Sequence, residues 1–257
     1  MQPWHLAQST FATIRDASFE VAVLPLGATE PHNLHLPYAT DTLEGDALGC
    51  AICKQAHADG ARVVLLPTLP YGTQTNMRSL PLAMNLYPST LTLIISNLLE
   101  TIVQSGIRKV LLLNMHGGNE MKSVVRELSP RTDASLFICN FWEVLGDDYD
   151  DIFENPEDHA GELETSIGLA RFPELLAEGA DDGATRPFRF EAMNRGWVKT
   201  SRSWHLLTTN TGSGNPHAAS AEKGEKAIKL IVERVSTFLV QLSDATLDAS
   251  FPFEHSS

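Results

Sequence analysis

The sequence VAVLPLGATEPHNLHLPYATD, residues 21–41, joins a short apolar run to a dense group of polar side chains. Its first seven residues, 21–27, are apolar throughout, as in a strand that is buried on both faces. Similar runs recur at residues 62–67, 109–114 and 135–140, and segments with helical periodicity separate them. This alternation predicts βαβ crossovers. The expected fold class is therefore α/β, a three-layer α/β/α sandwich with a mainly parallel sheet.

The helical segments lie between these strands and near the end of the chain. We predict helices at residues 43–58, 88–105, 119–128, 159–170 and 218–242. The acidic stretch at residues 147–158 is expected to be a solvated loop. Because no stretch is rich enough in Gly, Ser or Pro to divide the chain, residues 1–257 are predicted to form a single domain.

The composition is that of a globular protein with an acidic charge balance. The formal net charge is −13, which argues against nucleic-acid and anionic-membrane partners, because both favour an excess of Lys and Arg. No apolar stretch reaches the roughly 18 residues that span a bilayer, and no secretory leader is evident, so the expected location is the cytoplasm. Cys50, Cys53 and Cys139 are too few for a disulfide framework.

The segment after the first strand carries a candidate metal site. Glu30 and His32 are two residues apart, so their side chains point the same way if the segment is extended. Asp41 follows after a loop, and its two oxygens can bridge two ions. Imidazole and carboxylate groups are the usual ligands of Zn, Mn and Fe. An alternative is that Asp41 caps the next helix, with Glu44 completing a capping box.

Two further polar groups lie near predicted strand ends. His116 stands in NMHGGN, where two glycines let the backbone turn tightly and approach a ligand. The sequence DHAGELETS, residues 158–166, carries the other group. If it is helical, His159 and Glu162 share one face and Glu164 points elsewhere. Each group alone also fits a hydrogen-bonded turn or the compensation of a helix dipole. Together with the first segment they favour a divalent metal site.

These motifs resemble those of the creatininase (creatinine amidohydrolase) family. GATEPHNLHLPYATD is similar to the family pattern G-[ST]-T-E-x-H-G-x-H-L-P-x-x-T-D, LLLNMHGGNE to N-G-H-G-G-N, and HAGELETS to H-A-G-E-x-E-T-S. GSGNPHAASAEKGEKAI is similar to the pattern near the family's C-terminus, and the matches keep their order between residues 24 and 228. The resemblance implies the three-layer fold, two divalent ions (Zn, Mn or Fe) and a homo-oligomer, often a hexamer.

The resemblance also implies a ligand set. Glu30, Asp41 and His116 would hold one ion. His32 and Asp41 would hold the second, together with a glutamate. Asp41 would therefore bridge the two ions.

The glutamate of the second ion departs from the family pattern. Creatininase takes it from two positions after the histidine of the third strand, and this position is Gly118 here. We therefore predict Glu164 as the missing ligand, with Glu162 as the alternative. His159 matches a family histidine near the substrate, so His159 and Glu162 are predicted to carry protons in catalysis.

The substrate contacts are predicted from position. Trp142 follows the fourth strand, where an aromatic wall could flank a planar substrate, although ordinary core or interface packing is the alternative. After Tyr71 many relatives carry S-x-E-H-x-x-F-P-G-T, and this chain lacks that Glu-His pair. Tyr71 and Asn76 are predicted to contact substrate, and a polar loop around Gln74, Asn76 and Arg78 suggests a more polar or anionic one.

The function implied is an amidohydrolase that cleaves a C–N bond of a small cyclic amide, a formamide or a similar molecule by metal-activated water. One alternative is a maturation peptidase or deformylase-like hydrolase of a biosynthetic pathway, which would differ in its pocket and not in its metals. Another is a catalytically silent metal-binding homologue, which predicts a missing ligand. A nucleotide-binding protein is disfavoured, since no G-x-G-x-x-G or Walker-type loop follows a strand.

Overall fold

The computed structural model describes residues 2–254 and has a central four-stranded sheet. Its strands are β1 (Val21–Leu26), β2 (Val63–Leu65), β3 (Lys109–Asn114) and β4 (Ser135–Asn140). They are arranged in the order β2-β1-β3-β4, and each neighbouring pair is parallel. A small antiparallel pair, β5 (Glu157–His159) and β6 (Ser213–Gly214), lies apart from this sheet. The predicted α/β fold with a parallel sheet is confirmed.

Long helices flank the sheet, and short ones connect the remaining segments. The α-helices are α1 (Phe11–Ile14), α2 (Thr40–Ala58), α3 (Pro88–Gln104), α4 (Met121–Leu128), α5 (Tyr149–Ile152), α6 (Glu162–Arg171), α7 (Glu191–Asn194), α8 (Trp204–Leu207) and α9 (Ala221–Asp244). Turns of 3-10 helix cover Leu6–Gln8, Thr75–Met77, Ser129–Arg131, Phe141–Val144, Gly146–Asp148 and Pro173–Leu175. Within residues 2–254, none of the helices combines the length and apolarity needed to cross a bilayer.

The side chains of β1 alternate between two hydrophobic cores. Val21 and Val23 pack in a core with residues of α2, α6 and α9, whereas Ala22 and Leu24 pack with residues of α3 and α4. The strand β3 alternates in the same way. Since both faces of the sheet are covered by helices, both faces of each central strand must be apolar. This is why the strands read as continuous apolar runs, and it confirms the three-layer sandwich.

The two central strands end at the same level. Leu26 at the end of β1 is paired with Asn114 at the end of β3. The loops that follow both strands therefore open at one edge of the sheet. Ligands of open α/β sheets bind beyond this carboxyl edge.

The start of α2 differs from the prediction. The helix begins at Thr40, three residues earlier than residue 43, and Ala39 occupies the N-cap position. Asp41 therefore lies inside the first turn and does not cap the helix. The early start places its carboxylate at the carboxyl edge of the sheet.

The segment around His159 also differs. Because Ala160 adopts a positive φ of 53° and Gly161 is the N-cap, α6 begins only at Glu162 and His159 belongs to β5. The expectation that His159 and Glu162 share a helical face is therefore wrong. The acidic stretch at residues 147–158 is also more ordered than the expected loop, since it contains α5 and the start of β5.

Gly224 allows the backbone of α9 to pack closely against that of α6. A Cβ atom at this position would lie 2.0 Å from the carbonyl oxygen of Ser166. Helix propensity alone favours Ala over Gly by about 1 kcal/mol. We expect Gly224→Ala nevertheless to lower the free energy of unfolding by about 2 kcal/mol, because the backbones must separate. Denaturant unfolding would measure this, with Lys226→Ala on the exposed side of α9 as the control; an equal effect of the two changes would contradict the prediction.

Candidate metal centre

A group of buried carboxylates and imidazoles converges at the carboxyl edge of the sheet. Its members are Glu30 and His32 from the loop after β1, Asp41 from α2, His116 from the loop after β3, His159 from β5 and Glu164 from α6. This group includes every residue that was predicted to bind metal and one of the two that were predicted to carry protons. Glu30 and His32 meet His116 here because β1 and β3, the strands that precede them, end at the same edge.

His116 faces two carboxylates at short range. Its Nδ1 lies 3.1 Å from Glu30 Oε1 and 3.2 Å from Asp41 Oδ2. Neither oxygen accepts a well-aligned hydrogen bond from any group that the structure describes. Buried carboxylate oxygens normally accept hydrogen bonds, so these two oxygens lack their usual stabilisation.

The hydrogen bond at the opposite nitrogen of the ring determines which atom His116 presents to the two carboxylates. His116 Nε2 donates to the carbonyl oxygen of Thr73 at 3.0 Å, and a carbonyl oxygen can only accept. In the neutral ring the Nδ1 atom therefore presents a lone pair to Glu30 and Asp41. Lone pairs and negative charges that face each other in a buried space require a cation between them, either a proton or a metal ion.

The other two imidazoles repeat the pattern. His32 donates from Nδ1 to the carbonyl oxygen of Glu30 at 2.9 Å and turns Nε2 to Asp41 Oδ1 at 2.9 Å. His159 donates from Nε2 to the carbonyl oxygen of Pro31 at 2.9 Å and turns Nδ1 to Glu30 Oε1 at 3.6 Å. Metal-binding histidines commonly have their outer nitrogen fixed in this way.

The donor atoms fall into overlapping sets. Glu30, Asp41 and His116 each offer one atom within 4.8 Å of the others, and so do His32, Asp41 and Glu164. Asp41 belongs to both sets and directs one oxygen to each histidine. A third set consists of Glu30, His32 and His159. The arrangement can therefore accommodate two cations that share Asp41.

Charge pairing dominates the ionisation of the group. Burial by itself would lower the pKa of His32, but Asp41 and Glu30 raise it to about 9. Burial would also lower the pKa of His116, and the same two carboxylates raise it well above its usual range. Burial lowers the pKa of His159, and the charge of His32 lowers it further. In the absence of metal, protons on His32 and His116 thus compensate the carboxylates at neutral pH.

Glu162 lies outside this group. Its Oε1 is 2.5 Å from Lys223 Nζ, and its Oε2 accepts hydrogen bonds from the backbone N–H groups of Glu154 and Asn155. Residues two positions apart on a helix point in different directions, and it is Glu164, not Glu162, that faces the histidines. The side chain predicted as the alternative ligand is therefore fully engaged elsewhere.

A pocket of about 560 Å³ opens over the group. Trp142 and Asn76, two of the predicted substrate contacts, line this pocket, whereas the exposed Tyr71 does not. Three further charged residues line it: Asp150 from α5, Asp158 from β5 and Arg202 from the segment before α8. No role in the site was predicted for Asp158, the first residue of DHAGELETS, and no motif marked Asp150 or Arg202.

The hydrogen bond that orients His116 requires a glycine at position 118. A Cβ atom there would lie 2.1 Å from the carbonyl oxygen of Thr73 and 2.4 Å from His116 Nε2. Any side chain would therefore break the hydrogen bond that orients the ring. Asn119 fixes the same loop by accepting from the backbone N–H of Thr73 at 3.0 Å, and Asn114 donates to the carbonyl oxygen of His116. The flanking asparagines of NMHGGN were a signal for this role that sequence analysis did not use.

Comparison with known proteins identifies the family. The family model described as "Creatinine amidohydrolase" (Creatininase) matches residues 5–239. The creatinine amidohydrolase of Pseudomonas putida is 28% identical over 176 residues, which cover 61% of this chain and 66% of the relative. The mycofactocin precursor peptide peptidase of Mycobacterium ulcerans is 27% identical over 82% of this chain and 81% of its own length.

Solved structures give the same result. A Bacteroides fragilis protein, provisionally designated a creatinine amidohydrolase, is 33% identical, with a TM-score of 0.89 over 96% of this chain and 99% of its own. A creatininase in a manganese form, at 22% identity, and a mutant creatininase of the zinc–zinc type, at 23%, have also been solved, and these likenesses show the shared fold alone.

The Gly118 contact yields a test with a matched control. We expect Gly118→Ala to weaken the binding of Zn²⁺ by about 10- to 100-fold, because His116 loses its orienting bond to Thr73. A Cβ atom at the adjacent Gly117 meets no atom within 4 Å, so Gly117→Ala is expected to leave the affinity unchanged. Competition with a chromophoric chelator would measure both affinities. Equal affinities of the two variants would contradict the prediction.

The raised pKa values of His32 and His116 predict a proton-coupled metal site. Two divalent ions, one at each ring, would replace both protons, so filling both positions at pH 7 should release about two protons. Because lower pH favours the protonated rings, metal affinity should fall below pH 7 and rise toward the His32 pKa of about 9. Isothermal titration in buffers of different ionisation enthalpy measures the proton release. Binding that does not depend on pH between 6 and 9 would refute this coupling.

Proposed function

The chain belongs to the creatininase family, and from this premise we propose that it is a metal-dependent hydrolase that cleaves a C–N bond of an amide with water. The observation that carries the proposal is the position of Asp41, whose two oxygens face two different imidazoles in a buried group. A shared carboxylate of this kind suits a pair of ions at the floor of a substrate pocket. We further propose that residues 1–257 act as one catalytic domain that assembles as a homohexamer.

The donor atoms suggest which residues hold the ions. Glu30, Asp41 and His116 would hold one divalent ion, and His32, Asp41 and Glu164 would hold the other. Mixed imidazole and carboxylate ligands suit Zn, Mn or Fe. When bound, such ions would lower the pKa of water and polarise the scissile carbonyl group.

His159 is the proposed proton carrier. Its Nε2–H is fixed on the carbonyl oxygen of Pro31, so its Nδ1 is the atom that can exchange a proton on the side of the pocket. Its lowered pKa keeps the ring neutral at pH 7 and ready to accept a proton from the attacking water. The same Nδ1 can then give the proton to the leaving nitrogen.

Glu162 is proposed to position the pocket wall and not to carry protons. Its Oε2 holds the backbone of Glu154 and Asn155, which directly precede the pocket residue Pro156. Lys223 neutralises its charge. Glu162 thus takes this supporting role and not the proton transfer that the sequence predicts, and Glu164 remains the proposed ligand.

The pocket walls would hold the substrate and exclude water. The apolar part of the pocket lining includes Phe141, Trp142 and Met77. The amide of Asn76 could orient a polar group of the substrate. An apolar surface around a polar floor favours a flat or partly apolar amide.

A peptide-like amide is the second candidate for the substrate. The volume of about 560 Å³ lies in the range of pockets for drug-sized ligands, and a small cyclic amide would fill only part of it. The similarity to a mycofactocin precursor peptide peptidase fits this reading. Hydrolysis of short N-acyl peptides and of small cyclic amides would separate the two candidates.

Metal content tests the proposal directly. Protein purified without added metal should contain about two equivalents of Zn, Mn or Fe by mass spectrometry. Asp41→Ala should lose both ions, and Glu164→Gln should lose one. In each variant the hydrolytic rate on a panel of amides should fall by about 100-fold or more. Asp46→Ala, an exposed carboxylate of the same helix as Asp41, is the control and should keep both. Wild-type protein that binds no metal, even after dialysis against Zn²⁺ or Mn²⁺, would refute the proposed function.

A further inference from the structure

Arg202 is the only Lys or Arg side chain among the described residues that line the pocket. The carboxylates of Asp150, Asp158 and Glu164 line the same space. These carboxylates would repel an acidic molecule that approached them. The position of the single guanidinium would therefore decide where, and in which orientation, such a molecule can bind.

The guanidinium of Arg202 is held on two sides. Its two terminal nitrogens lie 2.5 and 3.2 Å from the carboxylate oxygens of Asp158. Its Cζ lies 4.8 Å from the centre of the Trp204 ring, in a cation–π contact. Asp158 is itself fixed by a hydrogen bond from Ser213 Oγ at 2.9 Å. The group is therefore oriented before any ligand binds, which reduces the entropy lost on binding.

The Trp204 ring connects Arg202 to the metal centre. Its Nε1 donates to the carbonyl oxygen of Thr211 at 2.7 Å, which fixes the ring. The ring also packs against His159 at 5.4 Å between centroids, with the planes at 89°. Arg202 and the proposed proton carrier thus flank one rigid aromatic ring. A ligand can reach both groups within the same pocket.

The contact with Asp158 leaves part of the guanidinium available. An Arg side chain has five N–H donors, and the pairing with Asp158 uses two. Among the side chains that the structure describes, which do not include that of Glu157, no other acceptor for Arg202 occurs, and its side chain is 39% exposed. The remaining donors can therefore bind an oxyanion alongside Asp158.

We propose that Arg202 recognises a carboxylate at the end of the substrate remote from the scissile C–N bond, so that the substrate is an acidic amide such as an N-acyl amino acid or a short peptide. This inference rests on the proposed hydrolase function. The planar guanidinium matches the geometry of carboxylates and phosphates. The acidic residues of the pocket disfavour a doubly charged phosphate more than a singly charged carboxylate.

A purely structural role makes a different prediction. If Arg202 only ties α8 to β5 through Asp158, its removal would change stability and leave ligand preference as it was. Arg78 offers a control of equal charge, since it is exposed, stacks on Tyr87 at 5.7 Å and does not line the pocket. It also lies in the loop that the sequence had suggested for recognition of an anionic substrate.

Binding of a matched ligand pair tests the proposal. N-acetylglycylglycine and its C-terminal amide differ in one charge, and saturation-transfer NMR with metal-loaded protein would give the affinity of each. Wild type should prefer the acid by about 10-fold or more, as for one charge-assisted contact. Arg202→Gln should abolish this preference and Arg78→Gln should keep it. Arg202→Lys should keep only part of it, because the ammonium cannot pair with both oxygens.

Three results would overturn the proposal: equal binding of acid and amide by wild type, an unchanged preference in Arg202→Gln, or binding of neither ligand. Metal-depleted protein should show the same preference, which excludes capture of the carboxylate by the ions. Metal content and amide hydrolysis, measured on the same samples, report on the proposed function separately. Protein that prefers the acid through Arg202 but neither binds metal nor hydrolyses amides would refute only that function.

Discussion

Carboxylate oxygens and imidazole lone pairs that face one another in a buried space repel unless a cation lies between them. The surroundings of Asp41 enforce this arrangement, since His32 and His116 each have their outer nitrogen fixed by a backbone carbonyl oxygen. These outer bonds leave the inner nitrogens no alternative direction. The chain therefore builds a site that holds protons at neutral pH and would exchange them for metal ions.

The fold supplies the backbone that keeps this arrangement in place. Parallel pairing of Leu26 with Asn114 brings the loops after β1 and β3 together, and both strands are buried between two helical layers. The close approach at Gly118 then sets the distance between Thr73 and His116. Loops that hold polar groups at such short range cannot relax without moving the packed strands below them, so the stability of the core and the geometry of the site are linked.

Much of this was predictable because its signals are local. Runs such as residues 109–114 identify a strand buried on both faces, and the ligand motifs follow the strand ends directly, so the α/β fold and the grouping of Glu30 with His116 could be expected. The helix predicted for residues 159–170 is present as α6, but its start was placed three residues too early, because the positive φ at Ala160 is not visible in sequence. Arg202 was missed for another reason: its position depends on the packing of irregular segments, which no short-range pattern encodes.

The two glutamates of HAGELETS show how the closing helix takes part in the site. Glu164 faces the histidines, whereas Glu162 points the other way and binds Lys223 of α9. Lys223 also binds Glu154 and the carbonyl oxygen of Ala218, so one ammonium group joins the start of α9 to the segment that leads into the pocket wall. A buried carboxylate with this many donors is stabilised as an anion. The pair of motifs HAGELETS and AEKGEK is thus explained by contact in space: the acidic residue of one and the lysine of the other hold the same wall of the pocket.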